Sequence, residues 1–449
     1  MKQGTMHPVL RGKFSLQAPL VSSFLTSSAY FHCLTIGSRT GDASVMRNYL
    51  LLATACATLA ACADTGAQSA GSNAPPAGTP TPTSPTPTPA AASFVNPVEA
   101  KTYAGLGSVQ HYEYFTRSDG IGQGSQLYAG DANTVRDSGI SVTYDPRDAI
   151  FDLTISRPKG LVTPSPMRFQ DPIHRTDFGG LQEPQAGVPQ IDSAKQIQYL
   201  QSGSGSGGII SGGDNSHYVV GKELYTSAVQ TFFYQKPGTT TKYVTYAGFV
   251  RNSLSVAKIT DPSATTSYLK NTYSFDRAAF VYGEQTSNSA VPKTGTATYT
   301  GDMLATMVYN PLPDTDATAS TYFQWIDGSQ TTSIDFGTLK VTTNMTGTVR
   351  APTFDAYTTQ AFAMPSGSTF TASASSLIDL VNKGGFTGAF SSACFAATCT
   401  AGNSLLIAGS SLDGGFYGPN GEEIGAGFRI VGGRPDQRID ILGTFTGHK

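Results

Sequence analysis

The chain has 449 residues, a formal net charge of −2 and only 13% charged residues, against about 25% in an average soluble domain. It holds no run of Lys and Arg, so it lacks the basic footprint of a nucleic-acid binder. Forty-nine glycines, a single tryptophan and abundant Thr, Ser and Tyr suit an exported protein of many short strands.

Residues 1–45 show no hydrophobic period and no turn logic. Met46-Arg47-Asn48 then opens an apolar run that ends in Leu59-Ala60-Ala61-Cys62. A basic start, about a dozen apolar residues and a small-residue cleavage site make a signal peptide over 46–61. The run is too short to span a bilayer, which takes about 20 residues. Leu-Ala-Ala-Cys resembles the lipobox of bacterial lipoproteins. That resemblance implies that Cys62 is diacylated on its sulfur and becomes the first mature residue. Met46 is then the expected start, and 1–45 a start-site misassignment or a disordered extension. Residues 62–93 carry the lipidated cysteine and a tether, almost pure Pro and Thr over 79–89, which cannot bury a core. Ala63 after the cysteine favours the outer membrane by lipoprotein sorting rules.

From about Val95 the pattern is that of strands. In 140–155 two alternating runs flank Asp145-Pro146-Arg147-Asp148, which predicts a hairpin. A second hairpin is expected across Lys236-Pro237-Gly238. Stretches 157–190 and 201–213 read as loops rich in Pro, Gly and Ser. Residues 375–383 form the one helical candidate, with Leu377, Leu380 and Val381 clustered before Gly384-Gly385. The texture changes near 288. Strands are expected at 295–301, 321–326, 332–349, 368–374, 386–391, 404–410, 413–418, 424–430 and 438–446. Around Gly337 the apolar parity switches, from Ile334 and Phe336 to Leu339 and Val341, which predicts a bulge or corner. In the last two strands Ala426, Phe428 and Ile430, then Ile439, Ile441 and Phe445, share one face. Arg, Asp and Thr opposite them predict a wet side. The expected fold is all-β, closing in an eight-stranded up-and-down barrel over 288–449.

No catalytic constellation emerges, and the chain reads as a non-enzyme. Glu422 and Glu423 are neighbours, so in a strand they point to opposite faces and cannot work as an acid–base pair. One of them is expected to cap a corner by accepting backbone hydrogen bonds. Asp302, Asp335 and Asp440 stand alone in the sequence. Cys394 and Cys399 are spaced for a loop-closing disulfide in an oxidising compartment. A zinc site would need two further ligands nearby, and a redox couple more often reads Cys-x-x-Cys. His111, His174, His217 and His448 are scattered, so no metal site is signalled. His174 and His217, in long loops, are the candidates for an axial haem ligand. Gly203 to Gly208 imitates a phosphate loop without its flanking strand and helix. If loops bind a ligand, the candidates are Tyr309, beside Pro311 and Pro313, and Phe354, Tyr357, Phe362 and Met364. The same side chains would alternatively fill the barrel mouth as core.

Four pieces match one family: Thr294-Gly295-Thr296-Ala297-Thr298-Tyr299-Thr300-Gly301, Ile334-Asp335-Phe336-Gly337, the corner from Gly415 to Gly425, and Gly443-Thr444-Phe445-Thr446-Gly447. Together they resemble the β-barrel domain of the transferrin-binding protein B family of surface lipoproteins. The most specific element is Phe416-Tyr417-Gly418-Pro419 followed by Glu423. The resemblance covers roughly 288–449 and implies that 94–287 is the handle-like antiparallel sheet preceding such a barrel. Transferrin receptors of this family have two lobes of handle plus barrel, and this chain has the sequence of one. The resemblance therefore implies an outer-membrane surface lipoprotein that captures an iron source or solute. It is expected to be a monomer, anchored by its lipid, with a protein ligand or an outer-membrane transporter as partner. Haem or small-ligand binding, and a structural envelope role with no ligand, are the alternatives. No cofactor other than haem is implied.

Overall fold

Strict alternation builds the strands of the C-terminal half. In Lys340–Val349 the exposure alternates residue by residue: Val341, Met345 and Val349 are buried, while Thr342, Asn344, Thr346 and Thr348 face out. The computed structural model describes residues 93–118, 135, 138–155, 166–170, 187–207, 223–260, 267–310, 322–352, 364–433 and 438–449. All of them lie within the compact unit Thr86–Lys449. Among the described residues the only helix is one 3-10 turn, Ser193–Lys195.

Eight consecutive strands close the barrel: β10 (Thr296–Asn310), β11 (Tyr322–Asp335), β12 (Lys340–Val349), β13 (Thr369–Asp379), β14 (Gly385–Cys394), β15 (Leu406–Tyr417), β16 (Glu423–Gly433) and β17 (Arg438–His448). Each pairs antiparallel with the next, and β17 returns to β10 with Ile441 opposite Met307. Met303, Met345, Phe370, Phe386, Phe428 and Phe445 fill the interior. The outer face of β12 and β13 is Thr, Ser and Asn apart from Lys340, Leu377 and Asp379. Apolar inside and polar outside is the inverse of a membrane-spanning barrel.

Before the barrel the described residues form nine strands in two sheets. β1 (Lys101–Ala104), β3 (Ile140–Asp145), β4 (Ile150–Ile155) and β5 (Met167–Gln170) form a four-stranded sheet. β2 (Leu106–Arg117), β9 (Ser267–Gly283), β8 (Val244–Thr260), β7 (Glu223–Gln235) and β6 (Ile197–Gly207) form a five-stranded sheet in that order. The facing sides of the two sheets share a core that includes Val142, Leu153, Phe169, Phe232, Phe249 and Phe280. The other side of the five-stranded sheet lies on β10, β16 and β17 of the barrel.

Several expectations change. The helical candidate at 375–383 is instead the end of β13 and the turn after it. Phe370, Ala372, Ala374 and Ile378 keep period two towards the core, while Leu377 and Val381 are 59% and 92% exposed. Pairing of the β13 backbone with β12 and β14 satisfies groups that an isolated helical turn would leave open. The expected strands at 404–410 and 413–418 merge into β15, and 332–349 divides at a turn over 336–339. The corner at Gly337 is that turn. The expected loops are also shorter, since β5 lies inside 157–190 and β6 takes in 201–207. The rest of 201–213 lies outside the described residues.

Candidate functional site

Gly415-Phe416-Tyr417-Gly418 ends β15 and turns into Pro419, Asn420 and Gly421 before β16. Alternation sends Phe416 into the barrel, against Phe336 at 5.9 Å and Phe386 at 5.7 Å between ring centroids. It sends Tyr417 the other way, into the apolar layer between barrel and five-stranded sheet, with Val244 and Val281. Gly418 has φ +87°, and a Cβ there would come within 2.7 Å of the Tyr243 ring. Only glycine takes that conformation at low cost. Its N–H donates to the Glu284 carbonyl at 2.9 Å, and Thr286 N–H donates to the Phe416 carbonyl at 2.8 Å.

Glu423 completes the joint. Its carboxylate accepts the backbone N–H groups of Lys242, Tyr243 and Val244 at 2.6, 2.8 and 3.2 Å. Burial pushes its carboxyl up and the three donors pull it back, leaving it above the ordinary value. Glu422 points away and accepts from Asn420 N–H at 2.8 Å. The two carboxylates therefore serve separate partners, one of them capping the β7–β8 turn of the other sheet. The wet side expected for the last two strands is dry, because the five-stranded sheet covers it. Asp440, Thr444 and Thr446 are fully buried. Asp440 takes both ends of the Arg429 guanidinium, at 3.0 and 2.7 Å, and its backbone carbonyl accepts from Gln110 Nε2 at 2.9 Å.

The other lone aspartates also have partners. Asp302 pairs with Lys195 and accepts from Gln235 Nε2 at 3.1 Å. Asp335 accepts from Gly337 and Thr338 N–H at 2.9 and 3.0 Å, capping the 336–339 turn. Trp325, which the sequence did not single out, donates from Nε1 to the Gly187 carbonyl at 2.7 Å and stands edge-on to Phe233 at 5.6 Å. The missed signal was the chain's single Trp standing out of phase with Ile326, which enters the barrel core.

Tyr309 is not in a loop. It lies in β10, 9% exposed, within the barrel core. The apolar phase of β10 carries it inward, so the core reading prevails there. Met364 is half-buried against the same core, and its N–H donates to Gln324 Oε1 at 3.0 Å. Cys394 and Cys399 are disulfide-bonded, with Cα atoms 5.5 Å apart. Phe354, Tyr357, Phe362, Cys62, His174 and His217 lie outside the described residues. His111 Nδ1 is 2.8 Å from Asp276 Oδ1. Among the described residues no group of three His, Cys, Asp or Glu side chains could hold a metal ion.

Residues 291–449 match the family model for the C-lobe and N-lobe β barrels of Tf-binding protein B. A search of curated proteins finds no match. Among solved structures the chain is similar to a double mutant of transferrin-binding protein B from Haemophilus parasuis Hp5. The identity is 13% over 77% of this chain and 76% of that one, with a TM-score of 0.26. It is also similar to the isotype 1 transferrin-binding protein B of serogroup B Neisseria meningitidis, at 12% identity over 78% and 77% of the two chains and a TM-score of 0.22. The match covers 291–449, the stretch that holds the corner motif and forms the closed eight-stranded barrel, and it makes that barrel similar to the β barrels of Tf-binding protein B.

Proposed function

We propose that the chain is an outer-membrane surface lipoprotein, anchored through Cys62, that captures a ligand in iron-source or solute uptake. The observation that carries this reading is the match of 291–449 to the barrels of Tf-binding protein B. The strand bounds support it. At one end of the barrel the connections are short turns over 336–339, 380–384 and 418–422. At the other end three of the four connections are longer, from Asn310 to Tyr322, from Val349 to Thr369 and from Cys394 to Leu406, and the fourth, from Gly433 to Arg438, is short. A rigid scaffold that carries its longer loops at one end is a common design for recognition. The sheets ahead of the barrel act as the handle, 94–287, and the molecule works as a monomer without catalysis.

The test uses the mature chain with Cys62→Ser, immobilised and exposed to iron-loaded transferrin, iron-free transferrin and haemin. Capture of one iron source, with palmitate labelling of the wild type and none of the variant, is the expected result. Failure to bind any of the three, with the wild type also unlabelled, would remove both the capture and the anchor.

A further inference from the structure

The short turns of the barrel carry exposed aliphatic side chains. Leu339 ends the 336–339 turn, Leu377 stands on the outer face of β13 close to its end, and Val381 lies in the 380–384 turn. The first two meet across β12 and β13: the Leu339 carbonyl accepts from Ile378 N–H at 2.9 Å, and Leu377 lies opposite Lys340. Val95 and Val98 lie beside the β7–β8 turn, against which Gly418 of the corner is packed. Among the described residues the large exposed apolar side chains away from this end are Val229 and Leu406. Single exposed apolar residues need no explanation, but a gathering of them at one end of a molecule does.

Leu339 adds a second observation. Its φ is +60°, a region that Gly and Asn enter at low cost and other residues do not. Its side chain is 47% exposed, so little burial within the chain offsets that strain. Strain kept at an exposed apolar residue points to a contact outside the chain. The charges beside it are arranged to match. Asp335 and Asp379 turn their carboxylates onto N–H groups of their own turns, those of Gly337, Thr338 and Asn382. Lys293, Lys340 and Lys383 are exposed. Aliphatic tips set among lysines suit a surface that meets phosphate headgroups and acyl chains together.

The chain also enters the fold at this end. Ser93, the first described residue, lines a groove with Gly418 and Pro419 of the corner. Cys62 precedes it by about 30 residues, a length that reaches roughly 30 Å as a flexible coil. A lipid on Cys62 would therefore keep the short-turn end near the bilayer. We infer that this end of the barrel rests on an anionic phospholipid surface through Leu339, Leu377 and Val381. The longer connections then face away from the membrane, towards a ligand. The inference rests on the anchored reading of Cys62, and a second copy of the chain is the competing occupant.

The experiment supplies the anchor chemically. With Cys394 and Cys399 disulfide-bonded, Cys62 is the remaining thiol of the chain 62–449. It is coupled to a maleimide lipid in vesicles of phosphatidylethanolamine and phosphatidylglycerol. Trp325 is buried and out of reach of brominated acyl chains. In Val381→Trp those acyl chains are expected to quench the added fluorescence and shift it to the blue. In Leu406→Trp, at the end with the longer connections, they are expected to do neither. Leu377→Ser is expected to weaken partitioning of the uncoupled Cys62→Ser chain onto the same vesicles by about tenfold. Val381, Leu406 and Leu377 are all exposed, so the three variants fold. Equal quenching at both positions, quenching at neither, or unchanged partitioning would overturn the inference. Self-association without lipid that Leu377→Ser abolishes would overturn it in favour of a second copy. Palmitate labelling tests the anchor separately: an unlabelled wild type would remove the anchor, while quenching in coupled Val381→Trp would still support the contact.

Discussion

The Glu423 carboxylate reaches from the first residue of β16 to three consecutive N–H groups that lead from the β7–β8 turn into β8. No neutral side chain satisfies three donors as well, and hydrogen bonds to a charged acceptor contribute more than neutral ones. Glu423→Gln keeps the shape but turns an NH2 group toward these donors. It is expected to lower stability by about 2 kcal/mol, read as a lower urea midpoint with an unchanged slope. An unchanged midpoint would remove the cap from the joint. Asp335 works at the opposite edge of exposure. The N–H groups of Thr338 and Gly337 hold its carboxyl below the ordinary value. Because the folded value is depressed, its contribution is fully present above the unfolded value, roughly 3.9. It is lost as the pH falls through the folded value. Asp335→Asn is therefore expected to lower stability at neutral pH, leave it unchanged at strongly acid pH, and so flatten the acid limb of the profile. An acid limb of identical steepness would contradict this.

At the scale of the element, β16 shows why a strand rich in glycine sits at the centre of the joint. Gly425 and Gly427 face the five-stranded sheet, and a Cβ on Gly427 would come within 2.8 Å of the Gly107 Cα. The backbones of β2 and β16 meet at that point, with no room for a methyl group. Gly427→Ala is expected to cost about 1–3 kcal/mol as overpacking and to raise the susceptibility of β2 to limited proteolysis. Wild-type resistance in the variant would mean that the sheet shifts without cost. Alternation in β12 and β13 was legible because one side is core and the other water. In β16 and β17 it was only half legible. Which residues entered the barrel could be read, but Arg429, Asp440 and Thr444 looked solvent-facing until a second sheet was laid over them.

For the whole molecule the question is whether sheets and barrel unfold together. Trp325 is the only tryptophan in the chain, and it bridges the barrel to Phe233 of the five-stranded sheet. Its fluorescence therefore reports on the joint, while circular dichroism reports on all the strands. The joint holds buried aromatics, the Glu423 cap and the Gln110 contact to Asp440, so the two signals are expected to change in one coincident urea transition. Fluorescence lost well before the strands melt would show that the barrel and the N-terminal sheets are independently stable.

The sequence by itself determined the all-β class, the closing barrel and the family corner, because period-two alternation and glycine turns are local properties of the chain. It also carried the expectation of a lipid anchor, which rests on a contiguous motif around Cys62. Tertiary structure alone decided where the polar faces of β16 and β17 go and what Glu423 is for. It also decided that Tyr309 is core. Those outcomes depend on contacts between residues more than a hundred positions apart, such as Glu423 with Lys242, and no local period encodes them. The corner of Phe416, Tyr417, Gly418 and Pro419 belongs to both descriptions. Its residues are a contiguous signature, and its physical purpose, joining barrel to sheet, exists only once both have folded.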